Sequence, residues 1–402
     1  MPVFQYQGKS RNGKMKKGTV TADTKQQALR QLRDKGINVR HIKQSSSLLH
    51  MEFQIGGKLK NQDFVVYCRQ FATLIRSGVS VVESTTILAE QAKNKSFKAA
   101  LHDVATKVRS GQTFSEAASK YKKIFPPLFI NMMRVGEATG NLDETLEDLA
   151  VYYEKQFKLK KSIQSAMIYP VILLVLILGV GGGLLLTIVP QFADMFSDFG
   201  AELPTLTLTV LAFSDWLQTS WWIILIFFIL IPVSFKMAYD KIPQVKYTTM
   251  LILFKIPIFG DLLQKSAIAQ LTRTMASLLK NSVSILEAIT IADRVVGNVL
   301  ITEVMQKAHN SLEIGQPLSG PLKESWIFPP LVTQMVAIGE ETGSLDYMFD
   351  KVADFYEDDV ERSVETLKSM IEPMMILVLA VVVGTIVMSI MLPMFSLFEQ
   401  VG

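Results

Sequence analysis

The chain has one cysteine, Cys68, and four histidines, His41, His50, His102 and His309, in 402 residues. A lone thiol excludes an internal disulfide framework and suits a reducing compartment. Cys68 stands next to Arg69 on an apolar helix face, where a buried, inert thiol is expected. The histidines show no metal-ligand spacing, and each reads as a core or solvated side chain. Gly8-Lys9-Ser10 imitates the end of a phosphate loop, but Val3 stands where the first glycine is required, so no nucleotide site follows. No cofactor, metal or catalytic constellation is implied. A signal peptide is also missing: residues 1–57 contain no apolar run of the required length, so insertion is expected to rest on internal segments. Charge is scarce as well. Only 19% of residues are charged against 49% hydrophobic, with mean hydropathy +0.28, so apolar segments must be covered by something other than one soluble core.

Three stretches are long enough to cross a bilayer, which takes about 20 apolar residues. They are uncharged over Ser162–Ala193, Trp216–Phe235 and Pro373–Phe398. Lys155, Lys158, Lys160 and Lys161 precede the first, whereas Gln191–Ser220 holds four acids and no base. Lysines resume after the second, at Lys236, Lys241 and Lys246. Basic flanks stay in the cytosol, so the first span runs outward and the second returns. The third runs outward by alternation, because Arg362 and Lys368 compete with several local acids.

An internal repeat explains the odd span count. Arg69-Gln70-Phe71-Ala72-Thr73-Leu74 returns as Arg273-Thr274-Met275-Ala276-Ser277-Leu278 at an offset of 204. Phe125-Pro126-Pro127-Leu128 returns as Phe328-Pro329-Pro330-Leu331 at an offset of 203. Pro170 is matched by Pro373, and Pro190 by Pro393. Two parallel copies of a bundle plus an outgoing span need one unpaired return between them, and the second span is that return.

Within the copies, Ser80-x-x-Glu83, Thr113-x-x-Glu116 and Ser284-x-x-Glu287 read as capping boxes, and Gly78 and Gly111 as left-handed C-caps. From Asn141 to Val189 nothing clearly breaks the helical pattern, giving about 49 residues or roughly 73 Å at ~1.5 Å per residue, with a kink expected at Pro170. The N-terminal stretch differs. Val3–Tyr6 alternates, Asn12-Gly13 signals a hairpin, Gly18–Thr21 follows as a strand, and Thr24 caps a helix Lys25–Lys35 ended by Gly36. Val39–Ile42 is a candidate third strand.

The expected fold is therefore a mainly α membrane protein with two tandem cytosolic bundles of about six helices each. It would comprise a ββα segment at 1–44, a linker at 45–60 and a first bundle at 61–166. A transmembrane helix at 167–190, an external loop at 191–218 and a returning helix at 219–237 follow. A second bundle at 238–369 and a third transmembrane helix at 370–398 complete it.

The strongest local signal is Gly-Glu-x-Thr-Gly-x-Leu-Asp, present twice: Gly136, Glu137, Thr139 and Gly140 return as Gly339, Glu340, Thr342 and Gly343. Structurally it is a tight helix–turn–helix. Functionally, Glu137 and Glu340 are candidates for a partner or cation contact, since a turn alone does not demand a carboxylate. The spans carry no central ionisable residue, unlike ion or substrate pathways. Gly179-x-x-x-Gly183 permits close helix approach. Residues 1–60 carry thirteen Lys/Arg against three acids, a balance that fits anionic lipid or an acidic protein surface. Nucleic acid fits least, because no aromatic platform accompanies the charge.

The doubled Phe-Pro-Pro-Leu and Gly-Glu-x-Thr-Gly-x-Leu, the Tyr169-Pro170 entrance and the short N-terminal segment resemble the inner-membrane platform proteins of type II secretion and type IV pilus systems, the protein F/PilC family. The resemblance covers essentially the whole chain, although Glu372-Pro373 departs from Tyr169-Pro170. It implies a non-enzymatic platform in the bacterial inner membrane, with both bundles cytosolic and the C-terminus outside. Implied partners are a hexameric cytosolic ATPase facing the N-terminal segment and first bundle, pilin or pseudopilin subunits, other inner-membrane assembly proteins, and further copies of the chain in a dimer or larger homo-oligomer. The competing class is a small-substrate transporter or permease built on parallel repeats, against which three spans and no intramembrane polar site argue.

Overall fold

A computed structural model describes residues 3–10, 15–21, 25–34, 37–44, 59–198 and 203–401. It divides into two compact units, residues 1–59 with 92–99, and residues 60–91 with 100–402.

In the first unit, strands β1 (Val3–Ser10) and β2 (Met15–Thr21) precede helix α1 (Lys25–Asp34), and strand β3 (Ile37–Gln44) follows it. The antiparallel sheet has the order β2-β1-β3. Val3 faces Thr21 and Lys9 faces Met15, so β1 and β2 pair along their length. Helix α1 buries Ala28 and Leu32, one turn apart on a single face. The segment is thus ββαβ. Pairing with β1 carries the last strand beyond its candidate centre at Val39–Ile42, from Ile37 opposite Ser10 to Gln44 opposite Phe4. The Asn12-Gly13 turn, the Thr24 cap, the Gly36 stop and the linker up to residue 58 lie outside the described residues.

In chain order the first copy comprises α2 (Asn61–Arg76), α3 (Val81–Gln91), α4 (Lys95–Arg109), α5 (Phe114–Ser119), α6 (Pro127–Thr139) and α7 (Leu142–Gly183). A π-helical segment, Leu184–Ile188, continues α7 directly into α8 (Val189–Asp198). Then come α9 (Thr205–Lys241) and α10 (Pro243–Lys255), which have no counterpart in the first copy. The second copy repeats the six: α11 (Phe259–Lys280), α12 (Ile285–Val296), α13 (Val299–Glu313), α14 (Ser319–Lys323), α15 (Pro330–Thr342) and α16 (Leu345–Val401).

Local chemistry sets these boundaries. The hydroxyls of Ser80, Thr113 and Ser284 accept from the amides of Glu83, Glu116 and Glu287 at 3.2, 3.2 and 3.4 Å, satisfying otherwise orphaned N-terminal donors. Pro127 and Pro330 each occupy the first position of a helix, where the missing N–H is not needed. Gly78 and Gly111 take φ of +83° and +98°, the left-handed conformation that stops a helix at no steric cost. Asn141 makes no side-chain cap. The hydroxyl of Thr145 bonds its carbonyl instead, at 2.8 Å.

Two helical stretches are long and apolar enough to cross a membrane, Leu142–Met195 and Leu345–Phe395. Both continue through their entrance prolines, Pro170 and Pro373. A third apolar stretch is bent by 49° between Thr205–Ile223 and Ile226–Lys241. The stretch expected as an external loop, 191–218, carries helix on both sides of residues 199–204. Near the membrane end of the bundles, Leu159, Ala166, Leu262, Val360, Val364 and Leu367 form one apolar cluster that joins α7, α11 and α16.

Candidate functional site

The doubled signature sits where α6 meets α7 and where α15 meets α16. Each glycine in it has a distinct reason. Gly140 and Gly343 take φ of +80° and +70°, closing the preceding helix. Gly136 and Gly339 lie where the next helix crosses. A Cβ on Gly136 would fall 2.8 Å from the Thr145 hydroxyl oxygen, and one on Gly339 would fall 3.0 Å from Leu345 Cδ2. Leu142 and Leu345 press on the two glycines, which accounts for the leucine in the motif. The hydroxyls of Thr139 and Thr342 bond back to the carbonyls of Val135 and Ile338.

The two carboxylates have matching surroundings. Glu137 accepts the amides of Phe114 and Ser115, the latter at 3.0 Å, and Glu340 accepts those of Leu318 and Ser319, the latter at 3.1 Å. Both oxygens of each side chain therefore hold the first amides of the short fourth helix of their copy. An anion at that end also complements the helix dipole. Among the described residues, no group of three or more His, Cys, Asp or Glu side chains is placed to hold a metal ion.

A second constellation couples the copies. Arg69 on α2 reaches α7, pairing with Glu154 and with Glu147 at 2.6 Å. Its counterpart Arg273 on α11 reaches α16, pairing with Asp350, Asp354 and Glu357, the last at 2.7 Å. The hydrogen bond with Glu154 holds the Arg69 pKa above its ordinary value and Glu154 below its own. At Arg273 burial opposes the charge, but the bonds to Glu357 and Asp354 outweigh it and the pKa rises. Such paired arginines lock the first helix of each bundle to the helix that enters the membrane.

Ion pairs then cross between α7 and the second copy. Lys155 bonds Asp354 and Glu357 at 3.0 and 3.1 Å, and Lys158 bonds Glu361 at 2.7 Å. Lys280 and Asn281 bond Asp148 at 2.8 and 2.9 Å. The Tyr152 hydroxyl, whose pKa burial pushes up to about 12, meets the Thr274 hydroxyl at 3.0 Å. Between these helices lies a cavity of about 440 Å³, lined by Asp148, Lys155, Arg273, Lys280, Asp350 and Asp354 among others. A half-exposed, mixed-charge seam of this kind, closed around the buried Arg273, joins α7 to the second copy. The arginines were visible in the sequence only as the first residue of a repeated block, and their acidic partners some eighty residues away carried no local signal.

In the membrane-spanning part, Gly181 makes the close approach, with a Cβ there 3.1 Å from Val382 Cγ1. A Cβ on Gly179 or Gly183 would meet nothing within 4 Å, so the Gly179-x-x-x-Gly183 ridge does not face α16. Instead α9 supplies polar ties. The Ser214 hydroxyl donates to the Leu185 carbonyl and that of Thr207 to the Ser389 carbonyl, both at 2.7 Å.

Residues 67–190 and 271–393 each match the family described as "Type II secretion system (T2SS), protein F", and residues 1–43 match its N-terminal domain. The two matched ranges reproduce the internal repeat. Type IV pilus assembly protein PilC of Thermus thermophilus is 40% identical over 403 residues, covering 99% of this chain and 98% of that protein. Type IV pilus assembly protein PilC of Myxococcus xanthus is 35% identical, covering 98% of this chain and 94% of its own. Type II secretion system protein F of Pseudomonas aeruginosa is 30% identical and both chains are covered throughout.

Proposed function

Because the chain belongs to the type II secretion system protein F family, we propose that it is the inner-membrane platform of a type IV pilus or type II secretion machine. In this reading it couples a cytosolic assembly ATPase to the insertion of pilin-like subunits into a filament, and performs no chemistry itself. The names of its relatives support the machine. The observation that carries the coupling is the uninterrupted helix from each bundle into the membrane, clamped by Arg69 or Arg273. A displacement applied to a bundle is then passed on without a compliant linker. The topology that fits is three spans, with α9 returning, both bundles in the cytosol, the C-terminus outside, and bends at Pro170 and Pro373 where the helices enter. The N-terminal segment and first bundle would face the hexameric ATPase, and the spans would meet pilin subunits, neighbouring assembly proteins and further copies of the chain. The two motif carboxylates, Glu137 and Glu340, would serve this by holding α5 and α14 in place as a docking surface.

The solubilised chain is expected to co-purify with an assembly ATPase, and a chain lacking residues 1–160 to lose it. Retention by the truncated chain would move the ATPase surface to the second copy. Reporter fusions at Asp198 and after Gly402 are both expected outside, and a cytosolic location of either breaks the topology.

A further inference from the structure

Between α9 and the second copy, residues 241–260 carry Lys241, Lys246 and Lys255 and no Asp or Glu. This stretch ends in a corner, Lys255-Ile256-Pro257-Ile258-Phe259-Gly260, that is built rather than loose. Ile258 takes φ +69°, an uncommon conformation for a β-branched residue. Gly260 sits so close that a Cβ would fall 2.1 Å from the Phe254 carbonyl oxygen. Phe254 and Gly260 are buried, yet Ile252, Ile256, Phe259 and Leu263 point outward, with Ile252 56% exposed. A water-facing corner would not hold such side chains in a constrained backbone.

The corner's depth is set by a contact. Ile258 packs on the apolar cluster together with Ile163 and Ile371, seven residues before Pro170 and two before Pro373. That is close to the level at which the charge-free stretches of α7 and α16 begin, at Ser162 and Pro373. We infer that the α10–α11 corner is a wedge seated in the bundle-side leaflet, occupied by anionic phospholipid. Ile256 and Phe259 would enter the acyl boundary, with Lys241, Lys246 and Lys255 on the headgroup phosphates. The wedge would fix the height of the second copy at the membrane surface. The inference rests on the three-span reading above.

The test uses the full chain in vesicles of phosphatidylcholine with or without phosphatidylglycerol. A cysteine-directed environment-sensitive dye is placed at Ile256→Cys, Phe259→Cys or, as control, Lys323→Cys, each with Cys68→Ser. Dyes at 256 and 259 are expected to be quenched by shallow spin-labelled lipid roughly threefold more than the control, and shielded from iodide. Phosphatidylglycerol should deepen the quenching, and replacing the three lysines with glutamine should abolish that increment. Iodide access equal to the control would overturn the wedge and leave the corner as a protein-docking surface. An unchanged phosphatidylglycerol effect in the glutamine variant would overturn the headgroup contact. Impermeant maleimide on Gln191→Cys, before α9, and Lys307→Cys, after it, in spheroplasts separates the two readings. Labelling of 191 but not 307 with an exposed corner sinks the wedge alone, whereas same-side labelling sinks the span assignment.

Discussion

The two copies share a backbone and differ in what fills it. In the first, Phe64, Phe71, Phe114, Phe125 and Phe129 form a buried aromatic core, with Phe125 and Phe129 stacked at 5.5 Å. In the second the equivalent positions are Ile268, Met275, Leu318, Phe328 and Val332, also buried. The charges differ more consequentially. Lys158 and Glu361 are equivalent residues, 203 apart, and they bond each other. A residue that meets its own counterpart marks a two-fold axis. In a dimer of identical chains two lysines would collide there. Duplication within one chain lets the position carry opposite signs, so α7 is basic where α16 is acidic. The two copies therefore meet through charges of opposite sign at this position.

The comparison can be broken at its cores first. Phe129→Ala should cost about 4 kcal/mol and Val332→Ala roughly 2, because the aromatic leaves the larger void. Thermal unfolding of the detergent-solubilised variants reads the difference, and equal losses would mean that the first core collapses around the gap.

Next come the clamps. Arg273 is 7% exposed and holds three acids, whereas Arg69 is 35% exposed and holds two. Arg273→Ala should therefore cost about 2 kcal/mol, chiefly by taking from Glu357, the one largely covered acid, its buried partner. Arg69→Ala should cost only about 1 kcal/mol, since water screens its pairs. A larger loss at Arg69 would reverse the ranking of the two levers.

Acid should loosen the seam. Burial alone would raise the Asp354 pKa, but the bonds from Lys155 and Arg273 hold it below the ordinary carboxylate value. A depressed carboxylate stabilises fully above its unfolded pKa near 3.9 and loses that contribution as pH falls through the folded value. Lys280 works oppositely, its pKa raised chiefly by the bond to Asp148, so its contribution fades only as pH rises above the ordinary lysine range. The melting temperature should fall below about pH 4, and Asp354→Asn should flatten that limb.

The smallest effect sharpens the symmetry. Lys158→Glu should lower the melting temperature slightly, and only at low salt, and adding Glu361→Lys should restore it. A double variant no better than the single one would show that the pair is incidental.

Much of this was legible in the sequence. The repeat, Gly78 and Gly111 as helix stops, the hydroxyl caps and the first and last apolar stretches all depend on local chemistry or on self-comparison, and they stand where expected. The signature's glycines were readable as a turn, yet the clash that forbids a side chain at Gly136 depends on Thr145 in the next helix. The engagement of Glu137 was hidden for the same reason, its partners lying 22 and 23 residues upstream. The face of α7 that meets α16 was legible only to within a residue or two, so Gly181 makes the contact rather than Gly179 and Gly183.

The segment beyond that contact has its phase set separately. Over Leu184–Ile188 each hydrogen-bonded turn closes over one residue more than in an α-helix, and the carbonyl of Leu185 accepts from the Ser214 hydroxyl. Each residue of an α-helix advances about 100° around its axis. The wide turn therefore acts as a one-notch rotation, resetting which side of Val189–Asp198 faces its neighbours without changing the direction of travel. Deleting a single residue there would leave a straight, well-bonded rod aimed at the wrong azimuth.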